Sequence, residues 1–499
     1  MLRTTNPTRT LWEAILPPGF ENLPAELGRV DALFDDPVFL EPYRAHFSAR
    51  MGRPSTPIET YLRMMFLKHR YGLGYESLCK EVGDSITWMR FCRIPLGERV
   101  PHPSTLGKLT ARAGETVIDE LNRALLAKAA GEKVLKTNQV RADTTVIGAN
   151  VSYPTDSGLL VRAIRLIVGL VTAIHLAGGA TRTNVRDRSR AAGRRARSIS
   201  AHLKLRNDDA KAAVLAITGE LADLAEASIA EANRVLVNAR RALARKGDAA
   251  SGRLGSSVDR LEVILERAGR VVCQTRGRLA GDMPASATRL VSMHDPDARP
   301  IAKGRLGKPV EFGFKAQVVD NAEGIVLDHS VHQGNPADAP LLAPAIARIK
   351  KLCGRAPRAV TAARGSGEAK VDEALSDLGV QSVVIPRKGK PSATRRATEH
   401  RRGFVRLVKW RTGSEGRISY LKRRYGWDRT LLDGLSGATT WCGLGVLAHN
   451  AVKIAALIED KQTGRTAAPG SVGDDTSTVQ AAPSATDPPP GPPPTHLVA

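Results

Sequence analysis

The stretch "LKTNQVRADTTVIGANVSYPTDSGLL", Leu135–Leu160, decides how the chain is read. Val140 to Ile147 alternates and is rich in β-branched residues, which is the pattern of a strand, with Asp143 in its middle. From about Leu159 to Ala287 the pattern turns helical. Val214, Ile217, Leu221 and Leu224 recur every three or four residues, as do Val258, Leu261, Leu265 and Ala268. The Gly/Ser break "KGDAASGRLGSS" divides this region, which reads as a helical hairpin inserted into another domain. Strands resume after Pro309. "VEFGFKAQVVDNAEGIVLDHSVH" gives two strands joined by a turn at Asn321–Gly324. A helix ("DAPLLAPAIARIKKLC"), a strand ("RAVTAARG"), a helix ("EAKVDEALSDLG"), a strand ("VQSVVIP") and a basic helical region follow. Without the insertion, the order is three hairpin-linked strands and then α/β crossovers. That is a mixed sheet flanked by helices, an α/β fold.

Upstream, Thr56 to Ala113 reads as a cluster of short helices. "TPIETYLRMMFLKHRYGLGY" stops at Gly72 and Gly74, "ESLCKEVGDSITWMRFCRI" breaks near Gly83, and "HPSTLGKLTARAG" starts with Ser104 or Thr105 as its cap. Glycine turns between helices, with basic residues on the outer positions, suggest a helix-turn-helix-like DNA-binding unit. The expected organisation is a helical DNA-binding domain over 1–130, a sheet-containing core over 131–160 and 288–460, an Arg-rich helical insertion over 161–287, and a disordered Pro-rich tail over 461–499.

The 499 residues carry a formal charge of +24, which points to a polyanionic partner, nucleic acid before anionic membrane. The charge concentrates in "TRTNVRDRSRAAGRRARS", where Arg186, Arg190, Arg194 and Arg195 stand among seven arginines against the single Asp187. A charge run is ordinarily a solvated helix face; one this one-sided is read as facing phosphate. Aromatic residues total only 4% and form no strand motif of the RNA-binding type. Five scattered cysteines without a CxxC pair argue against a zinc ribbon or a disulfide framework and fit a reducing cytoplasm. The apolar segments Ala163–Ala177 and Leu435–Leu457 contain Arg165, His175, His449, Asn450 and Lys453, so they read as core helices rather than membrane spans.

In a sheet of this order, an acid in the first strand and one in the last helix can meet over the sheet. Asp143 and Glu415 are so placed. Converging carboxylates could hold two Mg²⁺ or Mn²⁺ ions about 3.5–4 Å apart for in-line attack on a phosphodiester. Arg411, Glu415, Ile418 and Lys422 fall at offsets of four, three and four, on one helical face. Arg411 and Lys422 would then grip the DNA backbone beside the ions. The competing reading is an ordinary ion pair between Glu415 and Arg411.

Taken in order, "GRPSTPIETYLRMMFLKHRYGLGYESLC", "RADTTVIGANVSYPTDSGLL", "VEFGFKAQ", "GNPADAPLL", "VTAARGSGEAKVDEAL" and "KWRTGSEGRISYLKRRYGWDR" resemble the DDE transposases of bacterial insertion sequences over roughly Leu11 to Leu457. The resemblance implies an RNase H-like catalytic core. It also implies a protein that binds the terminal inverted repeats of its element as double-stranded DNA, at least as a homodimer. Such a protein cleaves DNA and transfers strands with two divalent ions. Asp143 matches the first catalytic aspartate and Glu415 the glutamate, both expected as metal ligands. Arg411 and Lys422 match the motif around the glutamate, and Val408 stands where that motif has a tyrosine.

One position departs further. The family pattern resembles Thr-Ala-Asp-Arg-Gly-Tyr, and this chain has Thr361-Ala362-Ala363-Arg364-Gly365-Ser366. Ala363 therefore stands where the resemblance places the second aspartate. Glu368 and Asp372 lie downstream, on the next turn and helix, and are not expected to replace it, because metal ligation tolerates errors of only about 0.2 Å. Asp338 is read as a helix cap. The sequence thus leads to a transposase with impaired catalysis. The competing reading is a DNA-binding protein without catalysis, either a repressor of related elements or a domesticated architectural factor.

Overall fold

The computed structural model describes residues 1–5, 22–48, 51–205, 207–246, 252–303 and 309–464. Most of the Pro-rich tail expected over 461–499 lies outside the described residues. Among the described residues of the N-terminal part are helices α1 (Ala25–Phe34), α2 (Ile58–Tyr71), α3 (Tyr75–Asp84), α4 (Ile86–Phe91) and α5 (Pro103–Gly131). Gly72 ends α2 in the left-handed region, at φ 68°, which costs a glycine nothing because it has no Cβ. The cap of α5 is His102, whose Nδ1 accepts the Ser104 N–H at 3.2 Å, rather than Ser104 or Thr105.

The expected outward basic face is absent from α2. Arg63, Lys68 and His69 are buried. Arg63 is held by Asp31 at 3.0 Å, Asp35 at 2.7 Å and Glu59 at 3.5 Å. The Lys68 ammonium sits 4.0 Å from the Trp441 ring centroid, and burial pushes its pKa down to about 8. Lys68 and His69 are covered by α15 (Gly434–Gln462), a helix far along the chain that packs on α1, α2 and α5 and brings Trp441 against both.

The six-stranded sheet comprises β1 (Gln139–Gly148), β2 (Arg299–Ala302), β3 (Val310–Asn321), β4 (Val326–Gln333), β5 (Ala359–Ala362) and β6 (Ser382–Val384). The short β2 has too few residues to show a period and is not legible in the sequence. β3 pairs antiparallel with β1 on one edge and with β2 and β4 on the other. β5 joins the free edge of β1 in parallel, and β6 joins β5 in parallel. The parallel steps require crossovers, which α10 (Ala339–Cys353) and α11 (Ala369–Asp377) provide. One apolar core runs from Leu27 of α1 through the sheet to Ala455 of α15. A close approach fixes α15 in it: a Cβ at Gly445 would stand 2.5 Å from the Tyr425 carbonyl oxygen and 3.0 Å from the Trp427 ring.

Between β1 and β2 the chain forms four helices rather than a hairpin: α6 (Asp156–Leu176), α7 (Ser189–His202), α8 (Asp208–Lys246) and α9 (Gly252–Leu279). They bury an apolar cluster of their own, from Leu159 to Met293. By length and composition, α6 and α15 could each cross a membrane, but half of the apolar window of α6 and 72% of that of α15 are buried inside the protein.

Two histidines, His449 fully buried and His329 half-buried, couple this core to pH. Burial lowers the pKa of His449 to about 3 and that of His329 to about 4, against ~6.5 in an unfolded chain. The folded state therefore refuses protons that the unfolded state takes up. Their contribution is present above pH 6.5 and is lost as pH falls from 6.5 towards 4. For His329→Leu, the loss of stability between pH 7 and pH 5 is expected to shrink by about 2 kcal/mol, read from urea midpoints at the two pH values.

Candidate active site

Asp143 lies mid-strand in β1, opposite Val318 of β3. The parallel register with β5 pairs Ala142 with Ala362, so Asp143 and Ala363 leave the ladder side by side. Neighbouring strands stand about 4.8 Å apart. Ala363 is the first residue after β5 and is half-buried.

Glu415 arrives from the far end of the chain. Helices α12 (Ala393–Glu399), α13 (Arg402–Arg411) and α14 (Gly413–Arg424) follow β6, and Glu415 occupies the first turn of α14. The corner between α13 and α14 is pinned to the sheet by an arginine that sequence reading missed. Arg141, two residues before Asp143 and so on the same face of β1, donates to both carboxylate oxygens of Asp320 at 2.9 and 2.8 Å and to the Trp410 carbonyl at 3.0 Å. Its guanidinium also lies 4.8 Å from the Trp410 ring centroid. A Cβ at Gly413 would collide with Arg141 Nη1, so a side chain there would have to push the guanidinium off its place. Asp320 additionally accepts from Arg417 at 3.3 Å and from Ser414 at 3.5 Å.

With the corner fixed, Arg411 reaches both acids. Its Nη1 donates to Asp143 Oδ2 at 3.2 Å, and its Nη2 lies 3.6 Å from Glu415 Oε1. The Asp143 side chain is 13% exposed and that of Glu415 is 69% exposed. Burial raises the Asp143 pKa, and the nearby Glu415 and Asp338 charges add to this. The Thr144 N–H and Arg411 oppose it. The ion pair between Arg411 and Glu415 that the competing reading called for is therefore present, and it extends to Asp143.

Lys422 donates to the Val146 carbonyl at 2.7 Å, which ties α14 to β1. Asp338 does not cap α10. Its backbone is already helical and its side chain makes no cap bond. Its carboxylate instead takes Lys315 at 2.6 Å and the Thr144 hydroxyl at 3.0 Å. Thr144 follows Asp143 on a strand and points to the opposite face, which puts Asp338 across the sheet from Asp143. The distant arginines form no part of this centre. Arg186, Arg190 and Arg194 are exposed on or before α7, whereas Arg195 pairs with Glu220 of α8 at 2.8 Å.

The donor set does not fit two divalent ions. Asp143 and Glu415 are brought together, but the position beside Asp143 holds a methyl group. Among the described residues, no group of three or more His, Cys, Asp or Glu side chains could hold a metal.

Two family models match the chain: "Transposase domain (DUF772)" over residues 19–112 and "Transposase DDE domain" over residues 287–451. Ala363 and Glu415 lie inside the second match, and Asp143 lies between the two. An uncharacterized protein, ORF8 in the nfe locus of Rhizobium meliloti, is 27% identical over 132 residues, which are 24% of this chain and 61% of that protein. No solved structure matches.

Proposed function

Because the chain belongs to the DDE transposases of insertion sequences, we propose that it binds the terminal inverted repeats of such an element as double-stranded DNA, with cleavage and strand transfer impaired in this copy. The observation that carries the proposal is the β1–β5 register, which sets Ala363 beside Asp143 under the Arg411–Glu415 pair. The strand order supports an RNase H-like core: an antiparallel β4–β3–β1 unit extended by parallel β5 and β6. In an intact relative, Mg²⁺ or Mn²⁺ held by three carboxylates would supply the charge neutralisation for cleavage. This chain offers two, and no cleavage step is assigned to it.

The residues that remain suit binding. Arg411 contacts both acids and offsets part of their charge, so the centre does not confront phosphate as bare negative charge. That arrangement favours the non-catalytic variant of the proposal, in which the protein acts as a repressor or an architectural factor. DNA binding would use Arg411, Lys422 and the α7 arginines Arg190 and Arg194, with Arg186 and Arg195 beside them. At least two copies would act on paired ends, in the bacterial cytoplasm. A mobility-shift titration with a duplex carrying the element's end is expected to give the same affinity in EDTA as in Mg²⁺, and at least ~10³-fold tighter binding than to a scrambled duplex. Loss of binding in EDTA, or equal affinity for the scrambled duplex, would sink the proposal.

A further inference from the structure

Away from the carboxylates, a cleft of about 710 Å³ opens between the four-helix insertion and the chain that links it to the sheet. One wall is the segment after β1, including Tyr153. The others are the first turns of α6, the face of α7 around Gly193, and the segment 291–294 returning to β2. Three arginines line it, Arg162, Arg165 and Arg197, and no acidic residue does. The two acids adjacent in sequence are turned elsewhere: Asp156 pairs with Arg278 at 2.7 Å, and Asp295 accepts the backbone N–H groups of Ala298 and Gly434.

Like charges ordinarily spread apart in water. Here a Cβ placed on Gly193 would lie 3.6 Å from Arg197 Nη1 and 3.8 Å from Arg165 Nη2, so both guanidinium groups converge on one point. Neither has an acidic partner among the described residues. Arg162 Nη2 meets His294 Nδ1 at 3.3 Å, an imidazole rather than a carboxylate. The side chain of Tyr153 is held edge-on by Phe312, with ring centroids 5.5 Å apart, yet the residue remains 79% exposed. Two unpaired guanidiniums at one point, beside an exposed aromatic ring, match a phosphodiester chain with its bases. A carboxylate ligand would not use the ring.

The geometry points to this cleft as a second DNA-backbone site, separate from the carboxylate centre, that grips one strand through Arg165 and Arg197. The inference rests on the DNA-binding reading above. Asp143 and Val151 are eight residues apart along the chain, a span of at most about 27 Å. A strand with one phosphate every ~3.4 Å would cover that in about eight nucleotides. One duplex end could therefore occupy both places.

The test is the salt dependence of binding to a fluorescent duplex carrying the element's end. It uses the full chain, R165A/R197A, and the charge-matched control R234A/R253A on exposed positions of α8 and α9. Loss of two phosphate contacts is expected to flatten the slope of log K against log salt by about 1.8, and to weaken binding roughly 60-fold at 0.1 M salt. The control should move far less, and equal thermal melting of both variants excludes misfolding. If R165A/R197A keeps the slope of its control, the cleft site is wrong although DNA binding stands. If the unaltered chain binds no DNA, the DNA-binding reading itself falls. Tighter binding to an RNA of the same sequence would also overturn the assignment to DNA.

Discussion

Ala363→Asp is expected to turn a chain that leaves supercoiled DNA intact into one that nicks it when Mg²⁺ is present. The substitution returns a carboxylate beside Asp143, where the β1–β5 register brings the two strands together. Correctly aimed transition-state charge stabilisation is worth about 3–4 kcal/mol per contact removed in other enzymes, so the gain should be at least ~10²-fold in initial nicking rate. The assay is a supercoiled plasmid bearing the element's ends. The chain, the Ala363→Asp variant, and each of these with Asp143→Ala are compared with Mg²⁺ and with EDTA. Activity confined to the first variant in Mg²⁺ would identify position 363 as the lesion. Equal nicking by the unaltered chain, abolished by Asp143→Ala, would mean that another ligand completes the centre. The nearby acids are poor substitutes: Asp372 is held by Arg387 at 2.8 Å and by Arg395 at 3.2 Å, and Glu368 faces Lys388 at 3.7 Å.

The second large effect concerns the support beneath the centre. Asp320→Ala is expected to destabilise the protein by about 3–5 kcal/mol, because it strands the buried Arg141 charge. The Asp320 side chain is 1% exposed and takes both Arg141 and Arg417. Asp320→Asn keeps hydrogen-bond acceptance and should lose less. The readout is the shift in urea midpoint, with near-ultraviolet circular dichroism of Trp410 reporting whether the α13–α14 corner has come loose. A loss below ~1 kcal/mol for Asp320→Ala would show that the corner is held by packing alone. DNA affinity should fall with it, since Arg411 and Glu415 ride on that corner.

The sheet was legible because strand alternation and β-branching are local. β1, β3 and β4 announce themselves over eight to twelve residues, and the short β5 and β6 as apolar, β-branched runs set between helices. The four-residue β2 offers no period. The helical unit inside 161–287 reads as helix, yet periodicity cannot count how many helices a long apolar pattern contains. Asp143 and Glu415 were found as acids on a strand and on a helix face, and their meeting follows from topology. Arg141 and Asp320 escaped notice because each looks like a solvated charge until the register Arg141↔Asp320 places them opposite one another. The burial of Lys68 was illegible for a similar reason. Its cover, Trp441, comes from nearly four hundred residues later in the chain, and no local pattern carries that information. Asp338 misled because Asp before a helix is a strong capping signal, whereas here Lys315 claims the carboxylate.

The place of α15 has a consequence for the newly made protein. α5 ends at Gly131 and α15 begins at Gly434, so about 300 residues must be translated between them. At ~5–20 residues per second, that is about 15–60 s. During that interval the apolar face of α5 and the α2 surface around Lys68 lack their cover, and the nascent chain presents a sticky seam to chaperones and proteases. Closure waits for a helix made among the last. Premature stop codons anywhere upstream of 434 should therefore yield fragments that the cell degrades, rather than short folded competitors for the same DNA.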